Sequence, residues 1–131
     1  MHTYTVALRI ESKTLDTAQI TRDLSVSPSQ IRAVGERRDD RTVWEKALWE
    51  YQVSENGRSD WDSLEKGLAA LLQIFSPHSR NLHLHIQNHD VYIWCGHFGS
   101  GFSGGPHLSA KILKGLGDFG IPLWLDTYSA G

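Results

Sequence analysis

The chain has 131 residues, of which 40% are hydrophobic, and 13 basic residues stand against 15 acidic ones for a formal charge of −2. That length suits one domain, residues 1–131, with a single core, and that charge provides no basic field for duplex nucleic acid or an anionic membrane. The only cysteine, Cys95, excludes an intramolecular disulfide and fits a reducing compartment.

The opening MHTYTVALRIESK alternates as a strand does, with Tyr4, Val6, Leu8 and Ile10 on one face and Thr5, Ala7 and Arg9 on the other. It lacks the apolar segment and small-residue cleavage site of a secretory signal, and no apolar run approaches the ~18 residues that span a bilayer. A soluble, cytoplasmic protein is expected. Asp16 can cap a short helix bearing Ile20 and Leu24, which Ser27 and Pro28 end. From Ser29 to Thr42 the chain is polar, with Gly35 in the middle, and reads as a long loop. Its charges Glu36, Arg37, Arg38, Asp39, Asp40 and Arg41 cancel, as on a solvated loop.

VWEKALWEYQV, residues 43–53, reads as the second strand, with Val43, Ala47, Trp49, Tyr51 and Val53 inward and Trp44, Lys46, Leu48 and Glu50 outward. Asn56 and Gly57 turn the chain. Ser59 or Asp60 then caps a helix in which Leu64, Leu68, Leu71, Leu72 and Phe75 recur at helical spacing, with Pro77 just past its end. LHLHIQNHDVYIWC reads as a hairpin: Leu82, Leu84 and Ile86 pair with Val91, Ile93 and Cys95, leaving His83, His85, Tyr92 and Trp94 on the opposite face. A glycine-rich turn follows. A third helix runs from about Pro106 with Leu108, Ile112, Leu113 and Leu116 on one side, and the last strand spans Ile121 to Tyr128 with Trp124, Asp126 and Tyr128 outward.

The order strand, helix, strand, helix, strand, strand, helix, strand predicts an α+β fold. Its sheet should be mixed, mainly antiparallel and five-stranded, with three helices chiefly on one face, as a ferredoxin-like variant with an additional helix. The opening strand with its "LD" and short helix, the "SPSQ" exit, the "ALWEYQV" strand and the ending "GFSGGPHLSAKILKGLGDFGIPLWLDTY" resemble a bacterial family of domains of unknown function, number 4279. The resemblance spans nearly the whole chain and rests on structural motifs. It implies no established activity, cofactor or catalytic residue; small bacterial families of this kind sometimes supply immunity proteins beside toxins.

Catalytic chemistry finds little support. Gly99, Gly101 and Gly104 form G-x-G-x-x-G between a strand and a helix, yet only one strand follows, so no doubly wound sheet exists to hold a dinucleotide. A narrower expectation is an anion held by the backbone amides around Ser103, Gly104, Gly105 and His107 at a helix start. His83 and His85 share a face, but Cys95 and His97 project to the other, so no metal site assembles. Cys95 reads as a small buried thiol, and G-x-S-x-G, H-E-x-x-H and C-x-x-C are absent. No cofactor, metal or catalytic residue is expected.

The strongest signal is the outward sheet face, expected to gather Trp44, Leu48, His83, His85, Tyr92, Trp94, Trp124 and Tyr128 with Lys46, Glu50, Arg9 and Asp126 between them. Each large aromatic buries ~150–250 Å², so three left in water match the ~300–600 Å² of the largest patch on a typical monomer. Three covers are open: the protein's own helix or loop 29–42, a second copy, or a foreign protein anchored on tryptophan and tyrosine. Stacking of single-stranded RNA would need more phosphate partners than Lys46, Arg9 and Arg41 supply. The expectation is a noncatalytic binding or protein-interaction module.

Overall fold

The computed structural model describes residues 2–101 and 105–129. Its strands are β1 (Thr3–Ser12), β2 (Gln30–Arg32), β3 (Ala47–Gln52), β4 (Asp90–Gly99) and β5 (Leu123–Ser129), and its helices are α1 (Thr17–Leu24), α2 (Leu64–Phe75), α3 (Ser79–Asn88) and α4 (Ala110–Phe119). They form one five-stranded sheet in the order β2-β3-β1-β4-β5. All neighbours are antiparallel except β4 and β5, which run parallel.

This is the expected α+β fold with a mixed, mainly antiparallel sheet. The chain enters β2 and returns through β3, which inserts between β2 and β1, and α2 with α3 then carries it across to β4 beyond β1. Both crossovers therefore join strands of like direction with one strand between them, which is the ferredoxin-like pattern. The unit α4–β5 is appended at the β4 edge.

Alternation sorts the sheet as the sequence requires. Val6, Leu8 and Ile10 of β1, Trp49 of β3, and Ile93 and Cys95 of β4 are fully buried on one face. They meet Ile20 and Leu24 of α1, Leu68, Leu71 and Phe75 of α2, Leu82 of α3, and Ile112 and Leu116 of α4 in a single core. Every helix thus packs on the same face. The caps are local: Asp16 accepts from the Gln19 amide, Ser63 from Lys66 and Ser109 from Ile112.

Five expectations are corrected. Residues 82–87 are helical, not one arm of a hairpin, so four α-helices form and not three. The alternation of Leu82, Leu84 and Ile86 also places Leu82 and Ile86 four apart on one helical face, and only Leu82 is fully buried while Leu84 is 54% exposed. The strand that this segment would have formed has no place, because β1 and β5 already occupy both sides of β4. The fifth strand is instead β2, from the segment expected to be loop. The second strand begins at Ala47, leaving Val43–Lys46 outside it; the α2 cap is Ser63, not Ser59 or Asp60; and α4 begins at Ala110, not near Pro106.

Candidate functional site

The face opposite the helices carries the candidate site. Strand register arranges it in rows that cross the sheet: Gln30, Glu50, Arg9 and Tyr92; then Gln52, Ala7, Trp94 and Trp124; then Thr5, Gly96 and Asp126; then Thr3, Phe98 and Tyr128. Tyr92, Trp94, Trp124 and Tyr128 therefore do share a face, as expected from phase alone. Phe98, which the sequence reading missed, joins them. Its signal was present, since continuing the alternation past Cys95 puts Trp94, Gly96 and Phe98 on one side.

Gly96 is needed there. A Cβ at that position would lie 2.6 Å from the Phe98 ring, 2.7 Å from Thr5 Oγ1 and 2.8 Å from the Trp94 ring. The two aromatic side chains reach over the glycine from either side. The rings are then paired outward across the parallel strands: Tyr92 stacks on Trp124 with centroids 4.8 Å apart, and Phe98 stacks on Tyr128 at 4.9 Å. Such pairs contribute ~0.5–1.5 kcal/mol each beyond area burial.

Polar groups thread between the rings. Arg9 Nε donates to Glu50 Oε2 at 2.6 Å, and its guanidinium sits 4.4 Å above the Trp94 ring. The Trp94 indole donates to Asp126 Oδ2 at 2.6 Å, and the Tyr92 hydroxyl donates to Glu11 at 2.9 Å. Burial alone would lower the Arg9 pKa, but the hydrogen bond and charge of Glu50 raise it above the ordinary guanidinium value. Burial raises the Tyr92 phenol, keeping it a neutral donor. These charges are spent on one another and fix the rings in place.

Three expected members stand apart from the rings of β4 and β5. His83 and His85 belong to α3 and so lie on the helix side; His85 Nε2 meets Asp23 Oδ2 at 2.8 Å, and His83 lines a groove with Leu72, Gly115, Asp118 and Phe119. Trp44 precedes β3 and is held between two guanidiniums, Arg32 at 3.6 Å and Arg38 at 4.6 Å from its ring centroid. The loop that contains it meets the open face at Arg32 and, through Lys46, at Asp90, and it leaves Phe98, Trp124 and Tyr128 exposed.

The remaining candidates are quickly placed. Ser103 and Gly104 lie outside the described residues. Gly105 and His107 precede the α4 start, where the Ser109 amide already donates to the Glu65 carboxylate. Cys95 is fully buried, and burial pushes its thiol up to about 12, far from an activated thiolate. Among the described residues no three His, Cys, Asp or Glu side chains gather as a metal-binding group, and no helix is long and apolar enough to cross a membrane.

No curated protein and no solved structure matches the chain. The family model described as Domain of unknown function (DUF4279) matches residues 2–130. With the match running through every strand and helix of the fold, the chain belongs to the DUF4279 family.

Proposed function

We propose that this domain is a noncatalytic binding module that associates with protein through the open face of its sheet along β4 and β5. One observation carries the reading: four helices seal one face, while on the other Trp124 is 58%, Tyr128 46% and Phe98 36% exposed. Those three rings approach the ~300–600 Å² of the largest apolar patch on a typical monomer. Tryptophan and tyrosine anchors beside a few fixed charges are what interface hot spots use. The ionisable groups here are engaged in Arg9–Glu50, Tyr92–Glu11 and Trp94–Asp126 contacts, which supports positioning of rings over proton transfer.

Alanine at the exposed anchors tests the reading. Trp124→Ala and Tyr128→Ala are each expected to keep the circular dichroism spectrum and to shift unfolding by no more than about 1 kcal/mol. Both should abolish association, read as solution mass and as protein retained on the immobilised domain. Unchanged association, or unfolding by either substitution, would overturn it.

A further inference from the structure

The open face runs out to a backbone edge beyond which no described strand lies. β5 is the last strand of the sheet, and the Ile93 amide donates to the Pro122 carbonyl at 2.9 Å. Backbone groups in a strand alternate sides with period two, so Trp124 and Asp126 turn theirs toward β4 while Leu123, Leu125 and Thr127 turn theirs outward. Residues 124–128 are all exposed, and among the described strands none pairs with Leu123–Thr127 on the side away from β4.

The two edges of the sheet are unlike. β2 is three residues long, short as natural edges tend to be, whereas β5, LWLDTYS, is seven residues long with one charge and no proline. It is apolar on both sides: Trp124 stands on the open face and Leu125, on the helix side, is 40% exposed. A partner stacked only on the aromatic face would leave Leu125 and the backbone in water. An added strand covers both.

Resting on the binding reading above, we infer that the added strand is β5 of a second copy of this chain, paired antiparallel about a two-fold axis through Leu125. The strand's own sequence favours that occupant and register over the axes through its two neighbours. An axis through Asp126 would set two carboxylates directly opposite, which is unfavourable. An axis through Trp124 would leave only Leu123–Leu125 to pair within the strand. Through Leu125, the leucine faces itself, Leu123 faces Thr127, and Trp124 faces Asp126 of the other copy. No like charges meet. Asp126 accepts the Trp94 indole through Oδ2, which leaves Oδ1 for the Trp124 indole N–H of the second copy. The same patch thus supplies both sides, as an isologous contact demands. The five strands become a continuous sheet twice as wide, with both aromatic faces on one side and all helices on the other.

Mass and cross-linking test this together. Light scattering over a concentration series is expected to give twice the 14.7 kDa of one chain, and Leu125→Lys, which opposes two ammonium groups on the axis, a folded monomer. Leu125→Cys should oxidise to a disulfide-linked dimer, because Cα atoms of a hydrogen-bonded antiparallel pair lie about 5.5 Å apart, within disulfide reach. Asp126→Cys should link at least about tenfold more slowly, its Cα atoms lying beyond that reach in this register. Wild type, with only buried Cys95, is the control. A dimer that links through position 126 in preference to 125, or that Leu125→Lys leaves intact, overturns the inference. So does a wild-type monomer throughout; the binding reading then survives if the immobilised domain still retains a protein that Trp124→Ala releases, and falls with it if nothing is retained.

Discussion

Arg9 sits at the centre of the open face, with Glu50 on one side and the Trp94 ring on the other. Glu50 is buried, so Arg9→Met would strand a carboxylate and should cost about 2 kcal/mol by urea unfolding, less than a fully buried pair because Arg9 is partly exposed. The double variant Arg9→Met/Glu50→Gln should recover part of that loss, since it removes the charge as well as its partner. Histidines set a second dependence. The pKa of His97 is lowered by burial and then by His2, and that of His89 by burial and then by His85, so the fold favours both in the neutral form. Their unfolded value is about 6.5, so this contribution is complete above that pH and is lost as pH falls below it toward the folded values. The urea midpoint should therefore drop between about pH 7.5 and 5.5, and His89→Gln should reduce the drop.

At the scale of elements, two helical glycines separate packing from propensity. In α2, a Cβ at Gly67 would lie 2.8 Å from Val6 Cγ2 and 3.2 Å from the Trp61 ring, so the glycine lets this helix seat directly on β1. Gly67→Ala should push α2 from the sheet and destabilise by about 1–3 kcal/mol. In α4, nothing lies within 4 Å of a Cβ at Gly117, and Gly117→Ala should stabilise by about 0.5–1 kcal/mol through the unfolded chain's lost freedom. Thermal unfolding of the two variants side by side reads both signs. The hairpin expected over residues 82–95 shows where local pattern stops: six residues of strict alternation fit a strand, but Leu82 and Ile86 fit a helix equally well. What decided between them was the sheet, which had no vacancy beside β4.

At the scale of the molecule, the appended α4–β5 unit creates both the aromatic pairs and the open edge. Without β5, Tyr92 and Phe98 would lack Trp124 and Tyr128 as stacking partners, and β4 would be the edge. If two copies pair along β5, folding and association are linked, and the wild-type melting temperature should rise with protein concentration. Calorimetry over a hundredfold dilution should show that rise in the wild type and a flat response in Leu125→Lys; a flat wild-type response would count against the dimer.

Much was legible in the chain itself. Period-two alternation put Val6, Leu8, Ile10, Ile93 and Cys95 in the core and Tyr92, Trp94, Trp124 and Tyr128 on one outward face, because a strand's geometry leaves each side chain only two directions. Asp16 was readable as a cap because capping is a contact across three residues. Contacts distant in sequence were not readable. That His83 and His85 stand behind the sheet, that Gln30–Arg32 pairs with β3, that Trp44 lies between two arginines, and that Phe98 completes the ring cluster all depend on which strands become neighbours. Strand order is set by burial summed over the whole fold, and only the tertiary structure decided it.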